Sequence, residues 1–418
     1  MLLLLYSKKK ALIQDKIYDV AIIGGGIVGA ATLYQMQVKF PNLKILLIEK
    51  EDQLAVHQTG NNSGVIHSGL YYKPGSQKAI TCVRGRRALV KFSQEHMVDH
   101  EVCGKVVVAT KKSELPFMEK IFANGLANDT EDIEKITGDQ VREIEPFCIG
   151  IAGIRVGCTG IINYVQATDK MAKLALGLQP ESIISLGDAF IEAQEEGGIS
   201  TIKTEKTTHK AKYLIYCGGL QSDRLAKKDG VNLDMQIVGF RGDYYELNDE
   251  GKHKIKHLVY PVPNPEFPFL GVHFTRMTNG EIECGPNAVF TFKREGYGKT
   301  DFDLKDTVDA LGYLGTWKLF AKHWKFGLDE YKRAFSKKLF LQRLQVLIPT
   351  LTMEDIRPGR AGVRAMALGP DGEMIEDFKI EYTNNSIHVL NAPSPAATAC
   401  LAIGEDITAM AEKRFNLN

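Results

Sequence analysis

The stretch Tyr18 to Lys50, YDVAIIGGGIVGAATLYQMQVKFPNLKILLIEK, limits the fold more than any other part of the chain. Tyr18 to Ile23 is an apolar β run ending on glycines, Ile27 to Val38 reads as a helix, and Lys44 to Ile48 as a second strand. Gly24, Gly26 and Gly29 form G-x-G-x-x-G between strand and helix. Glu49 closes the second strand about 20 residues past the last glycine, where a dinucleotide fold needs an acid for a ribose hydroxyl. One glycine makes the tight turn, one lets backbone N–H groups approach a pyrophosphate, and one lets the helix pack closely on the sheet. The helix N-terminus then faces the phosphate charge. The pattern predicts a bound dinucleotide; the alternative is a glycine-rich βα turn without a ligand.

A chain of 418 residues is too long for one small core, and two domains are expected. A net charge of +1 gives no global field for nucleic acid or an anionic membrane. The seven cysteines, Cys82, Cys103, Cys148, Cys158, Cys217, Cys284 and Cys400, show no C-x-x-C pairing. That spacing argues against a disulfide framework, a structural zinc or an iron–sulfur cluster, and fits a reducing compartment. The apolar run of MLLLLYSKKK falls short of the ~20 residues that span a bilayer, and its lysines follow the run where a secretory signal puts charge first. No arginine precedes the first strand, which counts against a mitochondrial presequence. Residues 1–16 are read as a short extension, disordered or peripherally attached. No later segment is long and apolar enough to be transmembrane.

Past the first βαβ unit runs a polar, glycine-rich loop, Val56 to Tyr72, of a length that usually carries function. Helices are expected at Ser76 to His96, Leu115 to Asn128, Thr137 to Ile144 and Val165 to Leu178. Val102 to Thr110 reads as a strand, and the glycines of Ile149 to Tyr164 suggest a β hairpin. Lys212 to Cys217 is a buried strand closed by Gly218-Gly219, and Met235 to Phe292 is β-rich and proline-rich. A helical region with Trp317 and Trp324 follows, then RPGRAGVRAMAL, strand Ile387 to Leu390, and NAPSPAAT before a last helix. Sheet elements therefore recur at the start, in the middle and at the end. They suggest a dinucleotide domain of residues 17–80, 148–225 and 350–418, with a substrate domain of 81–147 and 226–349 inserted.

Several residues have chemistry worth locating. Pro393, Ser394, Pro395, Ala396 and Ala397 are expected to open the last helix, with Ser394 as cap and Pro395 at the first helical position. Its positive end suits a phosphate or a flavin ring that becomes anionic on reduction. Arg364, in Gly362-Val363-Arg364, offers a bidentate fork for a carboxylate, and Arg241 has the same capacity, although Asp243 beside it suggests a local ion pair. His67 and His273 sit among glycines and apolar residues, where a neutral imidazole accepts the proton of an alcohol as hydride leaves its carbon. The alternative for each is a hydrogen-bonded core histidine.

Together the motifs HQTGNNSGVIHSGLYYKPGSQKA, FRGDYY, YPVP…FPFLGVHFT, GPNAVFTFKREGY, AGVRA and NAPSPAAT resemble the FAD-dependent D-amino-acid-oxidase/glycerol-3-phosphate-dehydrogenase superfamily. Within it they resemble the L-2-hydroxyglutarate dehydrogenase (oxidase) family. The resemblance covers nearly the whole chain from Tyr18, and the run from His57 to Lys78 is more specific than the glycine fingerprint. It implies an α/β, Rossmann-like FAD domain built from discontinuous segments, plus an inserted mixed β-sheet substrate domain. It also implies FAD at Gly24, Gly26, Gly29, Glu49 and Lys50. The loop Thr59, Asn62, Ser63 and Gly64 would lie against the flavin, Cys217-Gly218 beside the adenosine half, and Pro393 to Ala396 near the isoalloxazine edge. Arg364, Arg241 and Tyr260 would hold the substrate, and no metal is implied. The implied reaction is oxidation of L-2-hydroxyglutarate to 2-oxoglutarate, with His67 or His273 as base. Alternatives are another 2-hydroxy acid, glycerol 3-phosphate or an amino acid as substrate, or a flavin-binding module without turnover. Quinone, another carrier and oxygen all stay open as electron acceptors. The expected location is cytoplasmic, with peripheral contact at the inner face of the membrane if the acceptor is a quinone, or mitochondrial in a eukaryote.

Overall fold

In the computed structural model, which describes residues 16–263 and 271–417, strand Ile17–Ile23 lies inside a sheet assembled from three distant parts of the chain. It pairs parallel with Ile45–Ile48 on one side and with Thr208–Tyr216 on the other, and Ile45–Ile48 pairs parallel with Ile183–Ser185. Thr208–Tyr216 changes partner along its length. Thr208 to Ala211 pair antiparallel with strand Ile199–Thr204, and Leu214 to Tyr216 pair parallel with strand Ser386–Asn391. The recurrence of sheet elements at the start, middle and end of the sequence is thus one sheet. Residues 1–15, with most of the extension, and residues 264–270 of the FPFLGVHFT motif lie outside the described residues.

Helices Ile27–Lys39, Tyr164–Leu178 and Cys400–Phe415 cover one face of this sheet. Val20, Ile22, Leu33, Met36, Ile45, Leu47, Ile215, Ile403 and Ile407 are buried between them. The closest helix contact is at Gly404, where a Cβ would lie 2.7 Å from the backbone of Ala31. No helix among the described residues is long and apolar enough to cross a membrane.

A second, mixed sheet carries the other half of the molecule. Its longest pairing joins Gln236–Leu247 antiparallel to Ile356–Leu368, with Phe240 opposite Arg364 and Arg241 opposite Val363. Strand Lys105–Ala109 runs parallel to Leu258–Pro261 and antiparallel to Ala152–Val156. Two strands shift the segments expected from the sequence. Ala152–Val156 and Ile356–Leu368, placed above with the dinucleotide domain, pair in this second sheet.

The hairpin expected over Ile149 to Tyr164 does not form. Ala152–Val156 joins Lys105–Ala109 and Ile133–Thr137, whereas Gly160–Ile162 joins Val65–Ile66 and His100–Glu101 in a small third sheet. The glycines there serve close approach: a Cβ on Gly160 would meet Glu101 O at 2.4 Å, and one on Gly153 would meet Val107 O at 3.0 Å. Nor does Ser394 cap the last helix, which starts at Cys400 with Ala399 as its N-cap residue. Pro393 to Ala399 instead form turns closed by Ala396 N–H to Pro393 O and Ala399 N–H to Pro395 O.

Replacing Gly404 with valine forces the last helix off the first, because the nearest neighbours are backbone atoms of Ala31 and Thr32 that cannot rotate away. The expected cost is about 1–3 kcal/mol of unfolding free energy, read as a lower denaturant midpoint at unchanged slope.

Candidate active site

One cavity of about 1910 Å³ runs between the two sheets, from Gly24 and Glu49 at one end to His67, His273 and Arg364 at the other. That volume exceeds the roughly 300–1,000 Å³ of an ordinary ligand pocket and holds a dinucleotide together with a small substrate. The glycines divide the work as expected. A Cβ on Gly24 would lie 2.4 Å from Cys217 O, and one on Gly29 would lie 2.0 Å from Gly24 O, so both allow close packing. Gly26 would meet only Thr59 Oγ1, at 3.4 Å, and it lines the cavity. Thr59 Oγ1 accepts the N–H of Ile27 at 3.0 Å, which ties the loop to the helix end. Glu49 accepts the N–H groups of Gly25 at 2.6 Å and Glu51 at 2.9 Å. Two backbone donors fix its carboxylate at the cavity wall and leave lone pairs for a ribose hydroxyl. These residues fit the ADP half of FAD.

Thr59, Asn62 and Ser63 line the cavity, as do Cys217, Gly218, Pro393, Ser394, Pro395 and Ala396. Lys50 does too, with its ammonium paired to Glu295. Gly29 and Gly64 do not: Gly29 packs the helix on the strand, and Gly64 turns the loop at φ 66°. The C-terminal segment reaches the histidine loop through Thr398, whose Oγ1 accepts the N–H of His67 at 3.1 Å and hydrogen-bonds Tyr164 Oη at 2.9 Å.

His67, His273, Tyr260 and Arg364 share the far end of the cavity. His273 stacks on Tyr260 with ring centroids 4.0 Å apart, and its Nδ1 lies 2.9 Å from Gly271 O. A carbonyl only accepts, so Nδ1 carries the proton and Nε2 keeps its lone pair. Burial, helped by Lys105 and neighbouring charges, drives both imidazoles down to about 3 and keeps them neutral. Arg241 is absent from this wall. Its guanidinium pairs with Asp243 at 2.8 Å and donates to Gly298 O, because it stands one residue out of phase with Arg364 in the paired strands. Directly opposed residues share a face and successive ones alternate, so Arg241 stands on the opposite face from Arg364, which lines the cavity with Gly242 and Tyr244.

Two residues escaped the sequence reading. Arg360 donates to Gly60 O and Asn62 O and pairs with Glu283, clamping the glycine-rich loop to the second sheet. Lys105 is only 2% exposed, and no carboxylate among the described residues pairs with it. Its ammonium lies 4.6 Å from the ring centre of Tyr71 and 5.0 Å from that of Tyr260, both cavity residues. Burial lowers its proton affinity to about 8. No sequence pattern marks either residue, since both act through partners distant in the chain. No cluster of His, Cys, Asp or Glu among the described residues could hold a metal ion, and all seven cysteines are free.

The profile of the family described as FAD dependent oxidoreductase (DAO) matches residues 19–410, and the chain belongs to that family. An L-2-hydroxyglutarate dehydrogenase from Indibacter alkaliphilus is 46% identical over 95% of this chain and 100% of its own length. The Escherichia coli K12 protein of that name is 42% identical, covering 93% of this chain and 92% of its own. A mitochondrial one from Nematostella vectensis is 40% identical over 96% and 91%. Among solved structures, the L-alpha-glycerophosphate oxidase of Mycoplasma pneumoniae with FAD bound shares the fold. Its TM-score is 0.76 at 22% identity, over 95% of this chain and 94% of that one.

The buried charge of Lys105 predicts a pH-dependent cost. Its proton affinity in the fold, about 8, lies below the ordinary lysine value of 10.5, so the unfolded chain binds more protons between those pH values. The contribution of this group to stability therefore rises across that window and is unfavourable at pH 7. Lys105→Met is expected to unfold later than the parent at pH 7, by on the order of 1–3 kcal/mol, with the gain shrinking from pH 8 to 10.

Proposed function

We propose that this FAD-dependent oxidoreductase oxidises L-2-hydroxyglutarate to 2-oxoglutarate, with His67 as the base. The carrying observation is that neutral His67 and His273 line the same cavity end as Arg364, beyond the dinucleotide cradle. The identity of 40–46% to dehydrogenases of that name supports the choice of substrate.

Arg364, on the cavity face of its strand, pairs with the substrate's C1 carboxylate and fixes C2 in place. Burial lowers its proton affinity, but a guanidinium stays charged at any pH the enzyme meets. His67, which makes no ring hydrogen bond among the described residues and is held through its backbone to Thr398, takes the hydroxyl proton. Without that acceptor, hydride loss would leave a protonated carbonyl. His273 presents the lone pair of Nε2 to the same space, which makes it the alternative acceptor for that proton. Lys105 adds a fixed positive potential behind Tyr71 and Tyr260 that favours an anionic substrate. Gly24, Gly26, Thr59 and Glu49 would hold FAD, with the Pro393 to Ala396 turn at the cavity wall, and the flavin would supply the hydride acceptor. The electrons pass on to a quinone or another acceptor.

Anaerobic addition of L-2-hydroxyglutarate is expected to bleach the flavin band, while L-lactate, glycerol 3-phosphate and amino acids leave it. Bleaching by one of those compounds instead would reassign the substrate, and stoichiometric FAD with no bleaching would mark a non-catalytic module. His67→Ala is expected to slow the single-turnover bleaching roughly 10²–10⁴-fold, and Arg364→Met to raise the half-saturating concentration about 10–100-fold. Unchanged rates in both His67→Ala and His273→Ala would remove the histidines from the mechanism.

A further inference from the structure

Strand Lys105–Ala109 is buried along its whole length, yet it begins with a lysine. Lys105 pairs with Leu258 and Val107 with Tyr260, so Lys105 and Tyr260 stand on one face of the second sheet. Val259 pairs with Phe274 in the next strand, which sets His273 beside Tyr260 on that face. Tyr71, from the glycine-rich loop, closes the cluster with its ring over the Lys105 ammonium. Burial is the main cause of the low proton affinity of His67 and His273. The charge of Lys105 adds to it at both, and that of Arg364 adds to it at His273. Two cations carried by different strands thus act on one end of the cavity.

The groups of this cluster lack counterparts. The buried hydroxyls of Tyr71 and Tyr260 find no hydrogen-bond partner among the described residues, which is costly for a polar group out of water. Only the thiols of Cys82 and Cys158 favour the charge of Lys105. Lys78, on the same stretch of cavity wall, differs: burial lowers its proton affinity too, but Glu376 and Asp377 oppose that. Tyr71 and Tyr260 line the cavity, whereas Lys105 stands behind their rings. Two phenol donors backed by an ammonium complement a carboxylate, which accepts from both and balances the charge. We propose that Tyr71 and Tyr260, with Lys105 behind them, form a second carboxylate subsite that takes the distal C5 carboxylate and selects 2-hydroxy dicarboxylic acids over monocarboxylic ones. The inference rests on the reaction proposed above for the assignment of the C1 carboxylate to Arg364. Lys105 is a positioning residue in it: its charge strengthens the O–H donors that touch the ligand.

Glutarate and glutaramate differ only in a distal carboxylate against a neutral amide, so they read the subsite without turnover. Calorimetric titration of the unmodified holoenzyme is expected to show glutarate binding about 10–100-fold tighter. Lys105→Met removes a costly buried charge and is expected to keep its FAD while shrinking that preference to about threefold or less. Tyr71→Phe keeps the ring over the ammonium, loses the hydroxyl, and is expected to lose part of the preference. With L-2-hydroxyglutarate, Lys105→Met is expected to raise the half-saturating concentration about 10–100-fold, with a smaller change in the limiting bleaching rate. Equal binding of the two ligands by the holoenzyme, or no binding of glutarate, overturns the subsite. An unchanged preference in both variants does so as well. So does a loss of both ligands alike in Lys105→Met, which marks a diffuse potential. Bleaching by L-2-hydroxyglutarate without a glutarate preference removes the subsite and leaves the reaction; the preference without bleaching supports the subsite and removes the reaction.

Discussion

The site depends first on how closely helix Ile27–Lys39 approaches strand Ile17–Ile23. A Cβ on Gly29 would lie 2.0 Å from Gly24 O, and one on Gly24 would lie 2.4 Å from Cys217 O, so side chains there would push helix and strands apart. Because the contact is tight, the helix end points into the cavity and Thr59 can reach the Ile27 N–H. Thr59 in turn anchors a loop whose next residues meet the second sheet. Gly362 presses on Asn61, where a Cβ would lie 2.2 Å from the carbonyl oxygen, and Arg360 holds Gly60 and Asn62. One chain of backbone contacts therefore runs from the cofactor cradle to the strand that carries Arg364.

At the far end the organising constraint is electrostatic. Lys105 and Arg364 bring positive charge to a wall of tyrosines and neutral histidines, and no carboxylate among the described residues pairs with Lys105. A buried charge without a carboxylate is costly, and the faces of Tyr71 and Tyr260 offset only part of that cost. Burial, helped by the same potential, holds His67 and His273 in the unprotonated form that a base requires. Stability is given up at this wall, and the large cores packed on both sheets offset the loss.

Much of the cofactor half was legible because its signals are local. The fingerprint, its acid and the βαβ order lie within one contiguous stretch. The Pro393 segment misled for a physical reason. Ser and Pro are good helix starters, but the backbone there turns twice before the helix begins at Cys400. The space is also contested: a Cβ on Gly85 would lie 2.5 Å from Ala399 Cα, so the helix Gln77–His96 occupies the ground an earlier start would need. Propensity describes what a residue permits, and packing decided which permission was used.

The two arginines show where such reading ends. Arg241 and Arg364 looked alike in sequence, each an arginine near glycine in an apolar strand. Their difference is a matter of register. With Phe240 opposite Arg364 and Gly242 opposite Gly362, Gly242 and Tyr244 line the cavity together with Gly362 and Arg364. Alternation within each strand is visible in the sequence; the phase between strands is set by contacts far apart in the chain. A slip of one residue in that pairing would turn Arg364 toward the position Arg241 now takes. Gly362 against Asn61 and Gly242 against Pro286 fix the phase, since a side chain at either would clash at 2.2 or 2.7 Å. The placement of Arg364 on the cavity wall thus rests on two glycines chosen for close backbone approach.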